Sequence, residues 1–332
     1  MITDARALQP DFVPQELHHR EGEIDALTTT LRPVADGFAG EDAFIFGPSG
    51  TGKTTIAHYV VDLLQQENLD TTTAYVNAMS NSTRADALYA LARDAEVAYD
   101  IRKEGSHASR FLDRIGDIDG QFIAIVDEVH VLEDYSTLQA LWEEPNVTLL
   151  LVCLDEEALF AEFDQQLQSR FGGARKVHLD RYTVAEMTAI LQGRVNAGLR
   201  PGVIREEALE HIADLAAGDA RAGIALLRSA VEQAVADGRE EITQALVADV
   251  EVDARADMRA HRVRELDTDK RLLYEIVREA GELDAGTLHA RYEDRAQDPV
   301  ARSTRRKYLG RLSEYELVYS DGVGRGKHYR HG

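Results

Sequence analysis

The chain has 332 residues, 44% hydrophobic and 29% charged, enough for two or three domains, each with its own core. No apolar run approaches the roughly 20 residues that span a bilayer, the first residues carry no apolar export segment, and the single Cys153 excludes an intrachain disulfide and a multi-cysteine metal site. A formal charge of −22 argues against nucleic acid at face value, yet residues 300–332 hold eight Lys/Arg against three acids, so an acidic body ends in a basic stretch that suits an anionic partner.

Residues 1–22 read as mostly irregular, with Pro10 and Pro14 as breakers; a helix follows, with Ile24, Leu27, Leu31 and Val34 on one face. Next comes a short apolar strand, 43–46, then Gly47-Pro48-Ser49-Gly50-Thr51-Gly52-Lys53-Thr54, then Thr55 and a helix to about Gln66. Strand, glycine turn and helix are the context that G-x-x-x-x-G-K-[ST] needs to bind phosphate. Its glycines let backbone N–H groups turn inward around phosphate oxygens, and the helix N-terminus adds its positive end. Lys53 is placed to reach the β/γ-phosphates and the Thr54 hydroxyl to ligate Mg²⁺. Arg20 and Glu21 have two readings: a solvated helix start, or a segment lying over the nucleotide base.

A second strand is expected over 72–77, a helical pattern over 84–98, a polar loop to 106 and a short helix over 108–118. Phe122-Ile-Ala-Ile-Val then ends in Asp127 and Glu128, which suits a central parallel strand with acids at its C-terminal end. Asp127 is the candidate to hold Mg²⁺, and Glu128 the candidate to orient and deprotonate the attacking water. Further elements are a helix over 134–142, a strand over 146–154, a helix to about 163, the stretch 166–171 and a strand over 175–179, a βα alternation that predicts a parallel α/β sheet. From 183 to about 250 the pattern is helical, and 253–266 reads as a charged linker helix or hinge. Helices are expected over 269–280, 285–292 and 304–315, with a hairpin around residues 321–326. The expected domains are an α/β ATPase base (1–180), a helical lid (181–252), a linker (253–265) and a winged helix-turn-helix (266–332).

A phosphate loop, an acidic strand end and a helical lid narrow the class to an AAA+ NTPase. In that order Arg170 stands where an arginine finger reaches a neighbour's γ-phosphate, and Arg221 where the lid's sensor arginine reaches the nucleotide; either residue alone reads as a surface salt bridge. The nucleotide-binding set is thus Gly47 through Thr55 with Arg20, Asp127 and Arg221; the catalytic set is Glu128, Lys53, Arg170 and Arg221; the metal set is Thr54 and Asp127. Arg302, Arg305, Arg306 and Lys307 on the basic helix, with Arg325 and Lys327 on the wing, are the candidate DNA contacts. The alternative is a winged helix used only for protein contacts.

The acidic body, with few Lys relative to Arg, resembles proteins of salt-loving archaea. In such salt, phosphate contacts lose much of their counterion-release gain, and base readout and DNA shape must contribute more. Over nearly its whole length the chain also resembles archaeal origin-recognition proteins, relatives of the eukaryotic origin recognition complex and Cdc-type loader subunits. The resemblance rests on Leu17-His-His-Arg-Glu-Gly-Glu-Ile24, Gly47–Thr54, Val126-Asp-Glu128, Asp155-Glu-Glu-Ala-Leu-Phe160, Ser169-Arg-Phe171, Gly218-Asp-Ala-Arg221 and the C-terminal domain. It implies ATP (or ADP) with Mg²⁺ between base and lid, and duplex origin DNA read by the winged helix and by an insertion within 84–118. It also implies recruitment of the replicative helicase, other initiator subunits as partners, no membrane partner, and a cytoplasmic, nucleoid-associated location. One departure stands out. The family has Asn before the acid that follows the fourth strand; here Leu154 precedes Asp155. Leucine cannot sense γ-phosphate, and Asp155 is expected to repel phosphate unless it binds a metal or base. Slow hydrolysis, and ATP acting as a switch, are the expectations. A regulatory NTPase using its winged helix for protein assembly or transcriptional control is the alternative.

Overall fold

Four apolar residues bounded by polar ones make Ala43–Phe46 (β1) a strand buried along its whole length. The same holds for Phe122–Asp127 (β3) and Val147–Cys153 (β4), which suits strands covered on both faces. In the computed structural model these join Thr72–Asn77 (β2) and Arg175–His178 (β5) in one all-parallel sheet of order β2-β3-β4-β1-β5. The described residues are 1–9, 12, 19–67, 71–103, 105–322 and 327–332. They divide into two units, Met1–Arg255 and Ala256–Gly332. Among them no helix is long and apolar enough to cross a membrane.

Glu21–Ala35 (α1) and Lys53–Glu67 (α2) pack the stripe Leu27, Leu31, Val34, Ile56, Val60 and Leu64 onto one sheet face, against Ile45, Ile125 and Val152. Arg84–Asp94 (α3) and Ala108–Gly116 (α4) are inserted between β2 and β3. Ser136–Glu143 (α5), Glu156–Glu162 (α6) and Gln165–Phe171 (α7) follow before β5, with Phe160 of α6 and Phe171 of α7 packed on Phe44.

The helical part of this unit holds Val184–Gly198 (α8), Glu206–Ala216 (α9), Ala220–Ala236 (α10) and the start of Gln244–Arg264 (α11). Thr183 and Glu186 close a full capping box at the start of α8, worth about 1 kcal/mol. The first residues of the chain belong to this part. A 3₁₀ turn, Ala5–Leu8, lays Leu8 into its core, and burying that leucine contributes about 2 kcal/mol. The Arg194 guanidinium donates to the carbonyls of Ala7, Gln9 and Phe12 at 2.9–3.0 Å and clamps this segment on α8. Residues 1–9 and 12, within the stretch expected to be mostly irregular, therefore sit against this helical part.

The second unit takes the end of α11, then Thr268–Ala280 (α12), Glu282–Asp284 (β6), Ala285–Arg295 (α13), Arg302–Glu314 (α14), Val318–Asp321 (β7) and His328–His331 (β8). The strands form an antiparallel sheet of order β6-β8-β7. Of the two readings of 253–266, linker helix or hinge, the helix holds, and residues 253–264 continue α11 without a break. The hairpin strands gain a third partner, β6, too short to announce itself by alternation. The expected hairpin turn lies partly outside the described residues.

Candidate nucleotide site and candidate nucleic-acid interface

The loop Gly47–Thr51 leaves the C-terminal end of β1 and feeds α2. Gly50 and Gly52 sit at φ 77° and 87°, a region that glycine enters without steric cost. Space demands glycine as well: a Cβ at Gly50 would stand 1.9 Å from Asp219 Oδ1, and one at Gly52 2.8 Å from Tyr182 Oη. The loop is closed by the Thr51 hydroxyl, which donates to the Pro48 carbonyl at 2.9 Å. Ser49 and Thr55 are half-buried beside it. Lys53 is buried and donates to the Gly47 and Pro48 carbonyls at 2.7 and 2.9 Å, so its ammonium already lies within the loop's curve. Burial pushes that ammonium below its usual range; Glu128 and Asp127 oppose the shift, and Arg221 adds to it.

Asp127 ends β3, one strand removed from β1. Its Oδ2 accepts from the Thr54 hydroxyl at 2.6 Å and from Tyr75 Oη at 3.1 Å, and its Oδ1 from the Glu128 amide at 2.8 Å. Burial, then the Glu128 charge, raises its carboxyl above the ordinary range. This donor set fits Mg²⁺: a hydroxyl and a carboxylate already meet, beside a lysine and a helix N-terminus that suit phosphate. Glu128 adopts φ 54°, ψ 40°, with its carboxylate 3.6 Å from His130 Nδ1.

The lid part touches the loop directly. The Ala220 amide donates to the Gly50 carbonyl at 2.9 Å, and Asp219 caps α10 by accepting from the Ala222 amide at 3.0 Å. Arg221 is thereby the second residue of a helix whose first residue is bonded to the phosphate loop. Arg20 is not a solvated helix start. It is 8% exposed, donates to the Asp180 carbonyl at 2.6 Å and to Glu23 at 3.1 Å, and lies 4.4 Å from the Tyr182 ring centroid. Tyr182 in turn covers Gly52, so Arg20 is beside the loop at one remove.

One expectation for this site changes. Asp155 is not turned on phosphate: its Oδ1 accepts from the Ala158 amide at 2.7 Å and caps α6. Leu154 meets the loop through its backbone, its carbonyl accepting from the Gly47 amide at 3.3 Å. Arg170 is not gathered with the others. It pairs with Asp42 at 2.9 Å, just before β1, at the sheet end opposite the phosphate loop, and its side chain is 48% exposed. Burial pushes the single Cys153 thiol up to about 12, so it stays protonated.

On α14, Arg302, Arg306 and Lys307 are exposed. Arg305 is a correction: it is buried, donating to the His289 carbonyl at 3.1 Å and to Glu293 at 2.7 Å, and so holds α14 to α13 instead of facing outward. Lys327 lies 5.3 Å from the Tyr329 ring centroid, and Arg325 lies outside the described residues. The reading missed Arg330, whose guanidinium lies 5.5 Å from the exposed Tyr319 ring. Tyr75 and Tyr182 join the site from outside any contiguous motif, and Asp219, within the Gly218–Arg221 motif, joins it as the cap of α10.

The Cdc6 AAA+ ATPase-type lid domain matches residues 188–251, and an AAA domain matches residues 43–159. The chain is 36% identical to ORC1-type DNA replication protein 9 of Halobacterium salinarum, over 99% of this chain and 93% of that one. It belongs to the ORC1-type DNA replication proteins. The fold is that of this AAA+ family, a parallel α/β sheet followed by a helical lid. Solved relatives agree. The Aeropyrum pernix ORC2 protein, in its ADPNP and ADP complexes, superposes with TM-score 0.67 at 25% identity, over 99% of this chain and 94% of that one. The Aeropyrum pernix ORC1 protein in complex with DNA has TM-score 0.75 at 24% identity, over 99% and 92%. The loop Gly47–Thr54 and the acids Asp127 and Glu128 fall within the residues that the AAA domain matches.

Proposed function

We propose that the chain is an origin-binding replication initiator whose ATP-occupied state, more than ATP turnover, sets its activity. The observation that carries this reading is the bond from the Ala220 amide to the Gly50 carbonyl: the helix bearing Arg221 starts on the phosphate loop itself, so whatever fills the loop acts on the lid. Thr54 and Asp127 are the residues to hold Mg²⁺, which when bound neutralises phosphate charge. Lys53, released from its two loop carbonyls, and the N–H groups of Ser49 to Thr55 bind phosphate oxygens. Arg20 and Tyr182 border the base side, and Glu128 takes the proton of the attacking water. Leu154 supplies no polar side chain beside that water, which supports slow hydrolysis. Arg170 acts on a neighbouring subunit's nucleotide, and the helicase and further initiator subunits are the partners of the ATP state.

The second unit, α12 to β8, acts as a winged helix that binds duplex DNA. The DNA-bound Aeropyrum ORC1 relative and the exposed Arg302, Arg306 and Lys307 support this assignment. The test is binding of labelled duplexes from replication start regions against shuffled duplexes, in ATP and ADP, over a molar salt series. Preference for the start-region duplex in ATP is expected. Arg302→Ala and Arg306→Ala should each weaken all duplexes and lower the salt slope by about one. Absence of preference, with a discrete protein partner instead, would favour protein assembly or transcriptional control.

A further inference from the structure

β2 and β3 pair in parallel, with Tyr75 opposite Ile125 and Asn77 opposite Asp127. Tyr75 is therefore the diagonal neighbour of Asp127, a reach that a tyrosine spans and most side chains do not. Its hydroxyl donates to Asp127 Oδ2 at 3.1 Å. Three contacts fix the tyrosine for this purpose. Its ring packs on His58 of α2, centroids 4.8 Å apart; its amide donates to Asp94 Oδ2 of α3 at 2.8 Å; and its flank joins the core between α2 and the sheet.

The same Oδ2 receives the Thr54 hydroxyl at 2.6 Å. Thr54 is itself a metal-ligand candidate: an oxygen lone pair is left for the metal while its O–H donates to Asp127, so its placement follows the metal. The Glu128 amide on Oδ1 and the Tyr75 hydroxyl on Oδ2 donate from positions set by the end of β3 and by the β2–β3 register. Without Tyr75, the donor to Oδ2 left among the described residues is Thr54, whose placement the metal itself sets. We propose that Tyr75 is a positioning residue that holds the Asp127 carboxylate in its metal-binding orientation. This deepens the nucleotide reading and rests on it. Outer hydrogen bonds of this kind tune metal affinity without touching the metal.

The test is the Mg²⁺ dependence of binding of a fluorescent ATP analogue, measured in chelator and over a MgCl₂ series. Tyr75→Phe removes one hydroxyl and keeps the ring on His58. The Mg²⁺ midpoint should rise roughly 10-fold, the lower end for a lost outer-shell bond, while affinity in chelator stays at the wild-type value. In an Asp127→Asn background the same substitution should change nothing further. A midpoint within twofold of wild type overturns the proposal. So does an equal shift in both backgrounds, because the hydroxyl then acts elsewhere. Wild-type protein that binds no nucleotide at any Mg²⁺ concentration sinks the nucleotide reading, and this proposal with it; nucleotide binding with an unmoved midpoint sinks this proposal alone.

Discussion

Glu128 carries a side chain in the left-handed region at φ 54°, a position that costs a non-glycine residue about 1 kcal/mol. Its amide bonds the preceding Asp127 carboxylate, so the turn holds both acids at the strand end. Glu128→Gln keeps the shape and removes the base. Nucleotide affinity should be unchanged and phosphate release should fall about 10²- to 10⁴-fold; equal turnover would end the assignment of Glu128 as base. Arg305 gives the opposite lesson. Counted as a charge it belongs with Arg302 and Arg306. Counted by position it belongs with Tyr308, Leu309 and Leu312, the buried stripe of α14 at i, i+3, i+4 and i+7. That signal was present in the sequence, and the residue's charge masked it.

At the scale of elements, the α13–α14 contact makes a pH-sensitive joint. Burial, then the charges of Arg302, Arg305 and Arg306, push the buried His289 imidazole down to about 4 from an ordinary 6.5. The folded state thus resists a proton that the unfolded state accepts. This contribution to stability is complete above pH 6.5 and is lost as pH falls towards 4. Amide-exchange protection of α13 and α14, corrected for intrinsic rates, should drop across that window in the wild type and drop less in His289→Gln. An equal drop in both would place the sensitivity elsewhere. The continuity of α11 has a plainer cause: charged residues at 253–264 are good helix formers, and what reads as a polar linker is also a permitted helix.

At the scale of the molecule, Arg170 and the phosphate loop lie at opposite ends of one sheet. As a finger, Arg170 would serve a nucleotide in another copy and turnover would depend on assembly. Arg170→Ala, with an intact loop, and Lys53→Ala, with an intact finger, should each lack turnover alone. Mixed, on DNA, they should regain measurable phosphate release. No regain would leave Arg170 as the partner of the buried Asp42 only, and Arg170→Ala would then read out as lost stability.

The phosphate loop, the acidic strand end and the order of strands and lid helices could be read from the chain because each is written in contiguous residues. A glycine turn between strand and helix, or an apolar run ending in acids, depends on backbone geometry a few residues long. Burial and partnership of single side chains do not. Arg20 meets Asp180 across 160 positions, Arg194 takes the carbonyls of Ala7 and Phe12, and Tyr75 finds Asp127 only through the register of two strands. Sequence alone determined that this chain holds an AAA+ nucleotide loop followed by a lid. Tertiary structure alone decided which arginines are outside, what holds Asp127, and that the first residues belong to the lid, because those contacts form between segments whose meeting no local pattern encodes.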